Sequence, residues 1–175
     1  MLDLISSEYL EEQKRLHLLG GYGERGDRWV TPIIYLKGYL KAQSILDYGC
    51  GAGALAKALS WYYLAAEEYD PAIEEKSNLP EPCDLVICTD VLEHIEPDLL
   101  DNVLEHLHSL TKVALFAVIS TRPAGKLLSD GSNAHLIVKP GLWWRARVDR
   151  QFSVKAVWKF EKDEWVALMY PRRLT

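Results

Sequence analysis

Ser44-Ile45-Leu46-Asp47-Tyr48-Gly49-Cys50-Gly51-Ala52-Gly53 is the stretch on which the fold turns. Its first residues form a short apolar run of strand type. The glycines at every second position cannot continue that strand, and Ala54 to Ser60 then places Leu55, Ala58 and Leu59 on one side of a helix. Strand, Gly-rich turn and helix in this order open a βαβ unit. At Gly49 and Gly51 the missing Cβ lets the backbone come close to a ligand. The spacing is not the G-x-G-x-x-G of a pyrophosphate loop, and Asp47 beside it would repel phosphates while suiting a ligand that carries positive charge.

Outward from this unit the chain keeps alternating. Trp61 to Tyr69 reads as a second strand ending at Asp70-Pro71, and the almost wholly apolar Asp84 to Thr89 as a third, buried on both faces. Glu96-Pro97 opens a helix with Leu99, Leu100, Val103, Leu104 and Leu107 along one side. Val113 to Ile119 is a fourth buried strand. A loop from Ser120 to Pro140 leads to a helix over residues 141–151. Strands at Val154 to Phe160 and Trp165 to Met169, joined by a four-residue turn, can pair as an antiparallel hairpin. On the N-terminal side, Ile5, Tyr9, Leu16 and Leu19 mark one face of a helix that stops at Gly20-Gly21. Gly20 to Asp27, with four glycines, is a loop that is either mobile or wraps closely around something. Pro32 begins a second helix with Ile33, Ile34, Leu36 and Leu40.

This order predicts one α/β domain over residues 1–175: N-terminal helices and a loop (1–43), a parallel-sheet core (44–120), and a loop, helix and closing hairpin (121–175). At 49% hydrophobic and 26% charged residues the composition is that of a globular protein. Three cysteines are too few for a disulfide framework or a four-ligand zinc site, so a reducing, cytoplasmic setting is expected. Neither a membrane span nor a secretion signal is read. Charge is uneven: residues 1–121 carry −11 and residues 122–175 carry +6, which is compatible with an anionic partner on the C-terminal third.

Ligands of such sheets lie beyond the carboxyl ends of the strands. Those ends hold Asp47 to Gly53, Asp70, Thr89 to His94 and Ser120 to Lys126. Ile45 to Gly53 resembles motif I of the class I S-adenosylmethionine-dependent methyltransferases. Asp70 is similar to their second-strand acid, and Cys83 to Ile95 looks like their fourth-strand motif. The resemblance covers roughly residues 30–120. It implies a Rossmann-like three-layer sandwich, mostly parallel, with a C-terminal antiparallel hairpin, and S-adenosylmethionine as cofactor. In that likeness Gly49, Cys50 and Gly51 border the methionine part, Asp47 contacts its amino end, Asp70 binds the ribose, Thr89 and Asp90 lie beside the cofactor, and Tyr22 with Gly23 closes over it. Only 13 residues separate Asp70 from Asp84, too few for a helix and a strand. The usual third strand is therefore expected to be missing, with Asn78 and Leu79 at the adenine edge. The small size and trimmed connections resemble phage and bacterial modification-locus members.

Methyl transfer needs an aligned nucleophile, and for oxygen or nitrogen acceptors often a base. His135 and His94 are the candidate bases. Arg122, Lys126, Asn133 and Trp143 are candidate acceptor contacts. Asp90, Glu93 and His94 fall at i, i+3 and i+4 and, on a helical turn, would share a face; with His135 they form a candidate set for a divalent metal. The motif is similar to the Glu-x-x-Glu-His of metal-assisted methyltransferases, with Asp in place of the first Glu, and metal-free relatives also carry Leu-Glu-His-Ile. The metal is the less favoured alternative. His17, after Lys14-Arg15, is expected on an exposed face. The leading expectation is methyl transfer to an oxygen or nitrogen of a small, anionic acceptor, a nucleotide or sugar derivative. A nucleic-acid acceptor, resting on the basic C-terminal segment, and a non-catalytic cofactor-binding scaffold are the alternatives.

Overall fold

The computed structural model describes residues 2–20, 23, 25–158 and 163–173. The chain begins with helix α1 (Ser7–Leu18), which is capped by the Ser6 hydroxyl accepting the Tyr9 amide. A single 3₁₀ turn, Gly26–Trp29, leads into α2 (Val30–Leu40). Then come β1 (Ile45–Tyr48), α3 (Ala54–Ser60), β2 (Glu67–Tyr69), β3 (Cys83–Thr89), α4 (Leu100–Leu110), β4 (Thr111–Ser120), α5 (Gly141–Val148), β5 (Phe152–Trp158) and β6 (Glu164–Pro171). The strands form one sheet in the order β2-β1-β3-β4-β6-β5. β2, β1, β3 and β4 are parallel, while β6 runs antiparallel to both β4 and β5. This is the mixed, mostly parallel sheet with a closing hairpin that the order of elements implies.

Alternation along the central strands divides the core between two faces. Leu85, Ile87, Phe116 and Val118 point to one side, where Trp29, Ile33 and Leu36 and, from α3, Leu55 and Leu59 cover them. Val86, Cys88, Leu115, Ala117 and Ile119 point to the other, under Leu100, Val103, Leu104 and Leu107 of α4 and Trp144 and Val148 of α5. All three cysteines are free and buried. No helix among the described residues is long and apolar enough to cross a membrane.

Between Asp70 and β3 there is only a 3₁₀ turn, Glu74–Lys76, so β2 is the sheet's edge among the described residues. The second strand is shorter than its apolar sequence suggests. β1 offers it only the pairs Leu46↔Glu67, Asp47↔Glu68 and Tyr48↔Tyr69, and the chain leaving α3 spends Trp61 to Ala66 in turning back to the sheet. Trp61, Tyr62 and Tyr63 are therefore exposed in a turn.

Candidate active site

A cleft of about 380 Å³ opens beyond the carboxyl ends of β1, β2, β3 and β4. It falls within the size range of small-molecule sites. Its floor is the loop after β1. Gly49 and Cys50 donate their amides to the Tyr69 carbonyl, at 2.7 and 3.1 Å, which ties the loop to the end of β2. Asp70 holds it from beside: one carboxylate oxygen accepts the Gly51 amide at 3.0 Å and the other the Ala72 amide at 2.9 Å. Gly51 has φ +52, and a Cβ there would sit 2.6 Å from the Gly23 carbonyl oxygen. The Gly23 carbonyl in turn accepts the Ala52 amide at 3.1 Å. Two backbones thus touch where only glycine fits.

Asp47 lines the cleft, is 4% exposed, and has no hydrogen-bond or ion-pair partner among the described residues. Burial, reinforced by Glu68, raises its carboxyl to about 7. Cys50 also lines the cleft, with its thiol pushed up by burial and then by Asp47; it is held as a neutral thiol. Thr89 and Asp90 line the far side.

The segment after β3 departs from the expected helical turn. Asp90 adopts φ +57, and a 3₁₀ turn, Leu92–His94, follows. A left-handed residue followed by a tighter helix breaks the i, i+3, i+4 alignment, and the three side chains separate. Asp90 turns to Arg28, whose Nη2 lies 3.0 Å from Oδ2 and 2.6 Å from Glu164 Oε1. Glu93 turns into the core, where its Oε1 accepts the Ser120 amide at 2.7 Å. Its Oε2 is buried without a hydrogen-bond partner among the described residues, and desolvation raises its carboxyl to about 8. A metal-ligand group of Glu93, His94 and His135 remains, with one ligand atom from each within 4.8 Å of the others; Asp90 is not in it.

His94 and His135 meet edge to face, ring centroids 4.7 Å apart. Each donates from Nδ1 to a backbone carbonyl: His94 to Ala134 at 2.8 Å, His135 to Arg122 at 2.6 Å. Burial, followed by the neighbouring His135, lowers His94 to about 4, so it stays neutral at pH 7. Arg122 and Lys126 also line the cleft. Asn133 and Trp143 are not among the lining residues. The Asn133 side chain is spent inside the loop: Oδ1 accepts the Ala124 and His135 amides and Nδ2 donates to the Ala124 carbonyl, each at 2.9 Å. Trp143 packs perpendicular to the buried Trp144, with 5.0 Å between ring centroids, against the α4 and α5 side of the core. Asn78 and Leu79 do not reach the cleft either, and Tyr22 lies outside the described residues.

Helix α1 roofs the cleft, a role its sequence did not reveal. Tyr9, Gln13 and His17, at i, i+4 and i+8, all line it. The spacing was legible, but it was equally compatible with a core-facing stripe. His17 is no exposed residue: its Nε2 lies 3.8 Å from Asp70, and burial lowers its pKa despite that carboxylate. Three arginines of the basic C-terminal segment are paired with acids. Arg147 and Arg150 pair with Asp101 and Arg172 pairs with Asp149.

Three comparisons place this arrangement among known proteins. The chain matches the methyltransferase domain family over residues 9–169. No curated protein matches it. Among solved structures it is similar to the Burkholderia thailandensis 1,6-didemethyltoxoflavin-N1-methyltransferase, solved with 1,6-didemethyltoxoflavin and S-adenosylhomocysteine bound. That match has 15% identity, a TM-score of 0.69, and covers 99% of this chain and 93% of the other. Human N-acetylserotonin methyltransferase in complex with S-adenosylmethionine is 16% identical, with a TM-score of 0.58 over 94% of this chain and 55% of that one. A Pyrococcus horikoshii protein, PH0226, is 15% identical, with a TM-score of 0.56 over 98% and 94% of the two chains. At these identities the solved structures speak for the fold, and the family match runs over nearly the whole chain: the protein belongs to the methyltransferase domain family, within the class I S-adenosylmethionine-dependent superfamily.

Proposed function

We propose that the protein transfers the methyl group of S-adenosylmethionine to an oxygen or nitrogen of a small, anionic acceptor, a nucleotide or sugar derivative. The observation that carries this reading is Asp47, a buried carboxyl lining the cleft without a hydrogen-bond or ion-pair partner among the described residues. A buried carboxylate calls for a cation, and the cofactor has an ammonium and a sulfonium. The remaining residues fit the same group. Gly49 and Gly51 line the same cleft. Asp70 uses one lone pair of each oxygen on the loop and keeps another for ribose hydroxyls. When bound, S-adenosylmethionine supplies an electrophilic methyl group. The protein positions the acceptor and handles its proton. His135 lines the cleft and donates from Nδ1 to the Arg122 carbonyl, which keeps the lone pair on Nε2 for a proton. His94, neutral and packed against it, holds that ring in place.

Calorimetric titration with S-adenosylhomocysteine tests the cofactor half of the reading. The wild type is expected to bind at micromolar concentration, and Asp70→Ala and Asp47→Asn at least tenfold more weakly. No binding by the folded wild type would move the weight to a scaffold role. Tritiated-methyl transfer to a panel of sugar phosphates and nucleotides tests the acceptor half. Binding of S-adenosylhomocysteine with no transfer to any panel member would count against that acceptor class.

A second reading adds a divalent metal. Glu93 Oε2 is buried without a hydrogen-bond partner among the described residues, and His94 and His135 are each oriented by a carbonyl on Nδ1, as metal-ligating histidines usually are. These three would hold the ion, which would orient an acceptor hydroxyl. Manganese binding followed by electron paramagnetic resonance, in the wild type and in Glu93→Gln, checks it. Identical spectra for the two proteins would remove the metal from consideration.

A further inference from the structure

The cleft is lined by charges of both signs. Asp47 and Asp70 stand at the β1 and β2 end, and the Asp90 and Glu164 carboxylates share the single guanidinium of Arg28. Arg25 and Arg122 line the same cleft at its mouth, both exposed, and neither side chain has an ion-pair or hydrogen-bond partner among the described residues. Most arginines elsewhere in the chain are engaged: Arg15 with Glu12, Arg147 and Arg150 with Asp101, Arg172 with Asp149. Lys126 brings a third positive charge to the mouth, its Nζ 3.0 Å from the Gly20 carbonyl, where the loop after β4 meets the N-terminal segment.

We infer that Arg25 and Arg122, with Lys126, form an anion subsite that takes a phosphate or carboxylate borne by the methyl acceptor. The inference rests on the reading that the acceptor enters this cleft. Guanidinium groups bind such oxyanions through paired N–H donors, and unpaired positive charge draws anions toward it. Arg122 also ties recognition to chemistry. Its carbonyl holds the His135 ring at 2.6 Å, and the residue itself lines the cleft and is exposed. An anion seated on Arg122 would thus fix how far the accepting atom stands from the His135 imidazole. The acceptor class that satisfies both is a phosphorylated or carboxylated compound whose hydroxyl or amino group lies a few bonds from the anion.

Protein saturated with S-adenosylhomocysteine is titrated calorimetrically with inorganic pyrophosphate and, separately, with malonate. The pyrophosphate arm speaks for a phosphate source and the malonate arm for a carboxylate source. Saturable binding of one of them, weakened tenfold or more in Arg122→Gln and in Arg25→Gln but unchanged in Arg145→Gln on α5, is expected. No saturable binding of either anion to the wild type, or equal binding by the wild type and the two cleft variants, overturns the inference. Absence of S-adenosylhomocysteine binding in the first step would instead strike at the cofactor reading. The anion titration of the protein alone then still decides the subsite.

Discussion

Asp47 ties the proposed cofactor site to stability. Its carboxyl is raised from the ordinary 3.8 to about 7 by burial, so the folded protein keeps a proton that the unfolded chain loses near pH 4. The stabilisation is complete below about pH 4 and is lost as pH rises through 7. The ligand-free protein is therefore expected to melt higher at pH 5 than at pH 8. Asp47→Asn should narrow that difference and raise the melting temperature at pH 8, while weakening S-adenosylhomocysteine binding. Scanning calorimetry at the two pH values checks this, and a gap of the same size in the variant would refute it. Gly51→Ala acts on the same loop by another route. It puts a Cβ against the Gly23 carbonyl on a left-handed backbone, at a cost of about 1–3 kcal/mol for the conformation alone. Chemical denaturation should show that loss, with S-adenosylhomocysteine binding reduced at least tenfold. Both residues were visible as chemistry in the sequence, because a strand running into alternating glycines places its last acid at the crevice. What the sequence could not show is that no described residue hydrogen-bonds or ion-pairs with the Asp47 carboxyl, since that depends on every element packed around it.

At the scale of elements, the loop after β4 is an organised flap rather than an open chain. Leu127 and Asn133 form an isolated bridge, the Ala134 amide donates to the Lys126 carbonyl, and the Asn133 side chain adds three hydrogen bonds across the base. The flap then leans on α1. Leu128 and Ala134 pack with Leu16, and the Ser129 amide donates to Glu12 at 2.8 Å. Asn133→Ala removes the side-chain clamp, worth on the order of 1–3 kcal/mol for bonds of this kind. Hydrogen exchange should quicken over residues 122–135 and stay slow in β3 and β4. Unchanged protection of the flap would show that the bridge and the packing suffice without Asn133. The polar residues of this loop were read from the sequence as acceptor contacts because their types suit recognition. Residue type does not tell whether an Asn faces a ligand or closes its own loop. The same limit governs residues 90–94, where one left-handed residue sent Asp90 and Glu93 in different directions, and the second strand, whose length was set by its partner.

At the scale of the whole molecule, a parallel sheet between helices followed from periodicity, because the buried strands are nearly continuous apolar runs and the helices between them carry single apolar stripes; the order of the strands did not. The sheet is shared by both layers, so its two faces should stand or fall together. Phe116 faces α2 and Leu115 faces α4 and α5, one residue apart on the same strand. Loss of either layer exposes one side of β3, β4 and β6, whose backbone pairing holds the other. The described structure is thus expected to unfold as one cooperative unit. Trp29 reports on one face and Trp144 on the other, both buried. Leu104→Ala, on the α4 side, and Ile33→Ala, on the α2 side, should each cost about 2–5 kcal/mol. In urea, fluorescence and far-ultraviolet circular dichroism should give coincident transitions for the wild type and for both variants, with both probes shifted together. Transitions that separate, or a variant that moves one probe alone, would mean that the two layers are independent folding units. The cleft would then lie over a seam between them. Coincidence would mean that the same cooperative sheet holds Asp47 and Asp70 at one end of the cleft and Ser120, from which the Arg122 and His135 flap departs, at the other.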